Sequence, residues 1–337
     1  MTTAWQRHDD AMIEVVFVVL PDTLLLDLAG PAEAFRLANQ ALAQRGRAPA
    51  FRLRYIGPQP DVGTSVGATL ADIEPLPATL AALTWLVLLG QPSGCESVLR
   101  RPLPRAWSET RRWLARCVAP RLRPGDGLRV LTVCAGALLA ADAGLLAGRR
   151  CTTHHEMLAA LQALAPTAQV QANRVFVIDG PLASSAGISA GIDLALFLIA
   201  EVCGDALAAA VAQTLVVFQR RGPADPELSP LLAGRHHLHP AVHRVQDAVC
   251  ERPTEAWSLQ RMAAVAHVTP RHLSRLFTLH VGSSPRQYLT GVRVALTENA
   301  LRSGMATKQA VAAAGIAGTR QWRRLRGAAK AGTAGRP

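Results

Sequence analysis

Residues 128–144 read LRVLTVCAGALLAADAG, and this stretch decides the fold of the first part of the chain. Its first six residues form an apolar run typical of a strand buried on both faces of a parallel sheet. Ala135 and Gly136 follow as a sharp turn, and we expect a helix from Ala137 onward. Cys134 therefore stands at the apex of a strand, a turn and a helix. This geometry exposes a side chain beside backbone N–H groups and a helix N-terminus that can lower the pKa of a thiol.

The sequence on both sides repeats the alternation of strand and helix. The run MIEVVFVVL at 12–20 predicts another buried strand, and further strands are predicted at 51–56, 85–89 and 175–179. Helices are predicted at 106–118, 191–201, 206–218 and 31–44, the last with Pro31 in its first turn. Such alternation indicates an α/β fold with a doubly wound, flavodoxin-like parallel sheet.

Charge is distributed unevenly along the chain. Residues 1–218 contain 18 basic and 18 acidic side chains, whereas residues 219–337 contain 18 basic and 6 acidic ones. The whole net charge of +12 therefore lies in the last third. A segregated positive charge is typical of a domain that binds a polyanion such as DNA and releases its counterions.

The six cysteines are widely separated, without a Cys-x-x-Cys pair or a Cys/His cluster at zinc spacing. This spacing argues against a disulfide framework and a structural metal, and we place the chain in a reducing cytoplasm. The apolar run at 12–20 is too short to span a bilayer, so no membrane association is expected. No cofactor is expected either.

Residues 219–239 are rich in Pro, Gly, Arg and His and lack a sustained periodicity. They are interpreted as a linker between an α/β domain at 1–218 and an all-α domain at 240–337. His236, His237 and His239 have no acidic or cysteine partners in this stretch, so we interpret them as part of a solvated linker rather than a metal tract.

Residues 258–277 predict two short helices joined by a tight turn. Ser258 and Thr269 are expected to cap the two helices, with Pro270 in the first helical position and the turn at His267 and Val268. The apolar residues at helical spacing are Leu259, Met262, Ala263 and Ala266 in the first helix and Leu273, Leu276 and Phe277 in the second. The second helix of such a motif enters the major groove. The residues expected to contact DNA are Thr269, Arg271, Ser274 and Arg275.

Residues 258–301 resemble the first half of the AraC/XylS-type DNA-binding domain, with R-x-L-x-R-x-F, a Gly, Ser-Pro and Tyr-Leu in order. The resemblance implies a second motif at 308–332, with Gly315 and Ile316 at its turn and Arg320, Arg323 and Arg324 facing DNA. This second motif departs from the pattern. Arg326 occupies a position that is usually an apolar aromatic, and the closing Pro-x-x-Tyr-Arg segment is not reached by Pro337. Because burial of an unpaired Arg is costly, we expect the last helix to fray or repack and to bind DNA more weakly.

The segments at 24–35 (LLLDLAGPAEAF), 133–155 and 184–196 (SSAGISAGIDLAL) resemble the PfpI/ThiJ, class I glutamine amidotransferase-like domain. They are most similar to the GlxA-type branch, in which this domain is fused to an AraC-type domain. By this resemblance Cys134 matches the cysteine at the turn, Asp27 the nearby carboxylate and His154 a histidine of some relatives. The backbone N–H groups of Gly90 and Gln91, after the third strand, could meet a ligand carboxylate or oxyanion. The predicted ligand-binding residues are Asp27, Gly90, Gln91, Cys134, Ala135 and His154.

Each of these residues also has a structural interpretation. Asp27 could cap the helix at Pro31, His154 could be a packing histidine, and Gly90 could be a turn residue. Cys134 could be a buried structural thiol.

Three functions are compatible with the sequence. The leading hypothesis is a homodimeric transcription regulator that binds promoter DNA and responds to a small metabolite in the α/β domain; the resemblance implies an amino acid or quaternary amine. No catalytic residue is expected in that case. The alternative is a hydrolase, amidase or aldehyde-processing enzyme that uses Cys134, Asp27 and His154. The third is an accessory protein that dimerises with related regulators but binds DNA poorly.

Overall fold

The computed structural model describes residues 12–92, 104–123, 125–187, 189–217, 221–223, 237, 239–302 and 305–333. The chain divides into two compact units, Met1–Glu227 and Leu228–Pro337. Most of the predicted linker, including His236, lies outside the described residues, as does the end of the chain from 334 onward.

The first unit contains a central sheet and two short strand pairs. Its strands are β1 (Ile13–Val18), β2 (Phe51–Gly57), β3 (Val62–Gly63), β4 (Thr69–Leu70), β5 (Glu74–Pro75), β6 (Thr84–Leu88), β7 (Leu128–Val133), β8 (Arg150–Cys151), β9 (Gln169–Val170), β10 (Phe176–Asp179) and β11 (Leu182–Ser185). The seven-stranded sheet has the order β10-β11-β7-β6-β1-β2-β5. The predicted flavodoxin-like sheet is thus confirmed.

One edge of the sheet departs from a fully parallel arrangement. β10 pairs antiparallel with β11, which in turn pairs parallel with β7. β11 was not predicted, because its sequence LASS has no apolar run although all four residues are buried.

The helices of the first unit are α1 (Leu25–Ala43), α2 (Arg105–Trp113), α3 (Gly136–Asp142), α4 (Leu158–Leu164), α5 (Ser189–Cys203) and α6 (Asp205–Thr214). The predicted start of the first helix at Pro31 is wrong, because α1 begins six residues earlier. Pro31 lies inside it, where the missing N–H cannot bond to the carbonyl of Asp27. The preceding turn packs tightly on α5: a Cβ at Gly30 would lie 2.8 Å from Ile192 Cγ1. We attribute the early start of the helix to this packing.

A cluster of aromatic rings fixes the position of α1 on the sheet. The ring of Phe35 lies 4.9 Å from that of Phe51 and 5.9 Å from that of Trp85, and the last two are 5.8 Å apart. All three side chains are buried in the core of the first unit. α1 is therefore held beside the carboxyl ends of the central strands, where the predicted ligand residues lie.

The second unit is helical in the described residues. Its helices are α7 (Pro240–Glu251), α8 (Leu259–Ala266), α9 (Pro270–Val281), α10 (Pro285–Arg302), α11 (Thr307–Ala313) and α12 (Thr319–Thr333). No described helix in either unit has the length and apolar character needed to cross a membrane.

Candidate functional site

Cys134 occupies a strained turn between β7 and α3. Its φ of 53° lies in the left-handed region, which is costly for a residue other than glycine and is concentrated at functional sites. Two hydrogen bonds hold the turn: the Cys134 N–H donates to the Ser185 carbonyl at 3.1 Å, and the Thr153 hydroxyl donates to the Cys134 carbonyl at 2.8 Å. The side chain is 6% exposed. The predicted sharp turn is confirmed, with its cysteine largely covered rather than open to solvent.

Four of the six predicted ligand residues meet around Gly90. A Cβ at this position would lie 2.6 Å from Asp27 Oδ2, 2.9 Å from Cys134 Cβ and 3.1 Å from the Ala135 nitrogen. Only glycine, which has no Cβ, allows these groups to approach the backbone so closely. Asp27 is completely buried in the first turn of α1, so it does not cap a helix at Pro31. The carboxylate of Asp27, the thiol of Cys134 and the backbone N–H of Ala135 thus converge at the carboxyl ends of β6 and β7. Doubly wound folds bind ligands at this edge of the sheet.

Gly187 and Thr153 also build this site, although neither was among the predicted ligand residues. Gly187 has a φ of +100°, and a Cβ on it would lie 2.7 Å from Cys134 Sγ. Any side chain at this position would therefore displace the thiol. Its sequence signal is the glycine in SSAG directly after a buried strand; Thr153 had no signal beyond its place just before His154.

The other two predicted ligand residues have different surroundings. The Gln91 side-chain amide donates to the Pro21 carbonyl, which joins the loops that follow β6 and β1. His154 Nδ1 lies 3.7 Å from Glu156 Oε2, and its ring is 4.2 Å from the ring of His155. The residue of this segment that hydrogen-bonds the turn at Cys134 is Thr153. Ligand contacts from Gln91 and His154 stay predictions.

Cys151 is the cysteine closest in sequence to this site after Cys134, and its environment differs. It is fully buried in β8. Burial, aided by the charge of Asp179, raises the pKa of its thiol to about 11. A thiol with such a pKa stays protonated at neutral pH and is a poor nucleophile. Cys151 is therefore a structural residue.

In the second unit, α8 and α9 form the predicted helix-turn-helix. The Ser258 hydroxyl accepts from the Arg261 N–H at 3.1 Å, and the Thr269 hydroxyl accepts from the His272 N–H at 3.3 Å, so both predicted caps are confirmed. His267 provides the left-handed residue of the turn, with φ 55° and ψ 42°. Leu259 was expected on the buried face but is 38% exposed, because the first position of α8 lies at the edge of the core.

The outer face of α9 carries the predicted DNA contacts. Arg271 and Arg275 are exposed and one helical turn apart, and an Arg275 Nη2 lies 3.4 Å from His272 Nδ1. The Ser274 hydroxyl donates to the Pro270 carbonyl at 3.0 Å, and that of Thr269 is the helix cap. The charge on this face therefore comes from the two guanidinium groups.

The second motif consists of α11, a turn and α12. Gly315 in the turn has a φ of +71°, and a Cβ on it would lie 2.7 Å from Thr254 Cα. Trp322 is 7% exposed and belongs to the core. The residues of α12 that were predicted to face DNA are all exposed, namely Arg320, Arg323 and Arg324.

The expectation of a buried, unpaired Arg326 is wrong. Its side chain is 45% exposed and pairs with Glu298 at 3.3 Å, and its guanidinium lies 5.3 Å from the ring centre of Trp322. The arginine covers the tryptophan from outside, with its charge still in contact with water. Its presence therefore does not require α12 to repack.

The interpretation of His237 and His239 as solvated linker residues is also wrong. Their rings pack against His280 at 5.5 Å and 4.8 Å, and the ring of His237 lies 4.4 Å from that of His243. Sequence spacing could not show this, because His280 is brought in by α9 from more than forty positions away. Within the described part of the chain, no group of three or more His, Cys, Asp or Glu residues is arranged to hold a metal ion.

Two protein families match this chain, one in each unit. The DJ-1/PfpI family matches residues 125–201, and a helix-turn-helix domain family matches residues 262–328. CdhR of Pseudomonas aeruginosa, an HTH-type transcriptional regulator, is 34% identical over 178 residues, which cover 52% of this chain and 52% of CdhR. The match thus spans about half the length of that relative.

GlxA of Rhizobium meliloti, also an HTH-type transcriptional regulator, is 29% identical over 272 residues, covering 79% of this chain and 77% of GlxA. The crystal structure of a ThiJ/PfpI family protein from Pseudomonas syringae has a TM-score of 0.50 and 18% identity, covering 78% of this chain and 93% of that one. This likeness shows the fold of the first unit. The chain thus has a region similar to the DJ-1/PfpI family, followed by a region similar to a helix-turn-helix domain family.

Proposed function

We propose that the protein is a transcription regulator that binds promoter DNA through its C-terminal unit and a small metabolite through its DJ-1/PfpI domain. The observation that carries the proposal is the outer face of α9, where Arg271 and Arg275 are exposed on a helix with a defined cap and turn. Arginines in this position can bond to guanine edges and to phosphates. The exposed arginines of α12 provide a second basic face.

The ligand would bind beside Cys134. Asp27, Gly90 and Ala135 converge there, which brings a carboxylate and a backbone N–H close to the thiol. The resemblance implies an amino acid or a quaternary amine as this ligand, and the Asp27 carboxylate could pair with the positive charge that both carry. The regulator would act in the cytoplasm as a homodimer formed through the α/β domain.

An ion pair between the buried Asp193 and the partly exposed Arg221 supports a route from this site toward the end of the first unit. Arg221 binds Asp193 through its backbone N–H at 3.0 Å and through Nε and Nη2 at 2.8 Å and 2.6 Å. Nη2 also donates to the Ser189 hydroxyl at 2.9 Å. Ser189 opens α5, two residues after the Gly187 that contacts the thiol. A ligand that shifts Gly187 would therefore act on the helix that anchors Arg221.

The enzyme alternative is less well supported. The similarity to GlxA extends over both units, and that relative is named as a regulator. Deletion of the C-terminal unit would leave an enzyme active but would abolish the function proposed here.

The test is binding of the purified full-length protein to the intergenic DNA beside its own gene at increasing salt concentration. Sequence-dependent binding with a steep salt dependence is expected, and Arg271→Ala or Arg275→Ala should each weaken it by about 1–3 kcal/mol. Arg45→Ala removes the same charge from an exposed position of the first unit and should leave affinity nearly unchanged. Binding that is absent, or equally strong to unrelated DNA, would refute the proposal.

A screen of amino acids and quaternary amines such as choline, with DNA affinity as the readout, would then identify the effector. Asp193→Asn is expected to keep DNA binding and to lose the response to that effector. An unchanged response in Asp193→Asn would exclude the route through α5.

A further inference from the structure

Four histidine rings form a cluster where the chain joins the second unit. His239 directly precedes α7, and His237 lies two residues before His239. His243 lies in the first turn of α7, and His280 lies in the last turn of α9. The ring centres are 4.4 Å apart for His237 and His243 and 4.8 Å apart for His239 and His280. The cluster thus connects the start of the second unit to the carboxyl end of α9, the second helix of the first helix-turn-helix motif.

Two hydrogen bonds of the cluster specify the protonation of the His237 and His243 rings, one bond for each ring. The His239 N–H donates to His237 Nδ1 at 3.2 Å, so this nitrogen must present a lone pair. His243 Nε2 faces the His237 carbonyl and must therefore carry a proton that it donates. Adding a proton to His237 Nδ1 would replace an acceptor with a donor and break the bond to the residue that precedes α7.

The surroundings of His239 also disfavour a charge. Desolvation by burial lowers the pKa of its imidazole, and the charges of His280, His272 and Arg244 lower it further. These neighbours, on α9 and α7, are all basic. The His239 Nδ1 atom is buried without a hydrogen-bond partner among the described residues, so a proton there would also lack an acceptor.

We propose that the His237, His239, His243 and His280 cluster is a protonation-sensitive clamp that holds the start of α7 against the end of α9 only while its rings are neutral. Protonation would place like charges on rings whose centres lie 4.4 Å to 5.5 Å apart. It would also remove the hydrogen-bond acceptor on His237. That α9 reads DNA rests on the proposed function, whereas the clamp itself does not.

The direction of the pH dependence follows from His239. Its pKa in the folded protein lies below that of a free imidazole, so the unfolded chain takes up a proton first as the pH falls. The stabilisation is fully present above the ordinary histidine pKa of about 6.5 and is lost as the pH falls through the lowered pKa of the folded state. Mild acidification is therefore the condition that opens the clamp.

Hydrogen–deuterium exchange of the full-length protein in EDTA tests this directly. Rates at pH 7.5 and pH 5.5 are corrected for the intrinsic effect of pH, and peptides that cover 239–251 and 270–281 are followed. We expect protection in both segments to fall on the order of tenfold at the lower pH. Peptides of β1 and β7 serve as internal references.

Three variants complete the experiment. His280→Gln and His239→Gln each remove one titratable ring and should reduce the pH dependence at least threefold, whereas His267→Asn, in a left-handed turn position that tolerates Asn, should behave as wild type. Protection that is independent of pH in the wild type would overturn the proposal, as would an unchanged pH dependence in both glutamine variants. Because the readout involves no DNA, these outcomes are independent of the proposed function.

Discussion

The two helix-turn-helix motifs have the same order of elements but are stabilised in different ways. Ser258 and Thr269 cap both helices of the first motif with their side chains, whereas α11 of the second follows Ala306, which has no side-chain oxygen. The first motif shares a core of fourteen buried residues with α7 and α10. Among the described residues, the core cluster of the second consists of three, Val311, Ile316 and Trp322. Local sequence therefore specifies the first motif more completely.

The second motif depends more on contacts from outside it. Its turn fits against the loop after α7, with Gly315 close to Thr254. Arg293 of α10 fixes that loop by donating to the carbonyls of Pro253 and Glu255, both at 2.8 Å. Partial burial lowers the pKa of the Arg293 guanidinium, but it stays charged at any ordinary pH. The second motif therefore relies on Arg293 and the loop after α7 for part of its stability.

The largest effect is expected from the core of the first motif. Phe277 is fully buried and its ring lies 5.9 Å from that of Tyr288, so Phe277→Ala should lower the free energy of unfolding of the C-terminal unit by about 3–5 kcal/mol. Hydrogen exchange of amides in α8 and α9 measures this change. Leu279→Ala is the control, because Leu279 is 73% exposed and its removal should cost less than about 0.5 kcal/mol.

Trp322→Ala extends the same test to the second motif. Exchange should increase in 307–326 with little change in α8 and α9, because the two cores are separate. Equal loss of protection in both motifs would show that they unfold as one unit. The two motifs would then not be stabilised independently.

The next effect concerns the turn of the second motif. Gly315→Ala places a Cβ in a left-handed residue, at a cost of about 1–2 kcal/mol, and only 2.7 Å from Thr254 Cα. Gly318→Ala is a matched control three residues away, since no atom lies within 4 Å of its Cβ position. We expect faster exchange in 307–326 for Gly315→Ala alone. Equal behaviour of the two variants would mean that the fit against the loop after α7 is unimportant.

The sequence predicted the elements whose signals are local and could not predict contacts made by distant segments. The apolar run before Cys134 predicted β7 and its turn, and Ser258 and Thr269 predicted two helix starts. The buried face of β11 escaped prediction because Ser184 and Ser185 are polar and their burial depends on neighbouring strands. The ion pair of Arg326 and the histidine cluster were missed for the same reason. Their partners lie tens of residues away, and their packing exists only in the folded unit.

Substitutions at two cap positions should shift the stabilities of the two motifs in opposite directions. Thr269→Ala should destabilise the first motif by about 1 kcal/mol, because the His272 N–H loses its acceptor. Ala306→Ser should stabilise the second by up to about 1 kcal/mol, because Ala306 already has the extended backbone of a capping residue, with φ −61° and ψ 139°. Thermal unfolding of the C-terminal unit and local exchange report both changes. Destabilisation by Ala306→Ser would show that α11 starts elsewhere.

The smallest effect is expected from the ion pair that joins α12 to α10. Arg326 and Glu298 are 45% and 38% exposed, so their coupling should be below about 1 kcal/mol and should weaken in salt. A double-mutant cycle with Arg326→Met and Glu298→Gln measures it, because methionine keeps much of the aliphatic cover on Trp322 while the charge is removed. A coupling above about 2 kcal/mol would mean that the pair is shielded from water as buried pairs are. An ion pair shielded from water would then stabilise the second motif. Its missing side-chain cap and its small core would no longer imply that the second motif is less stable than the first.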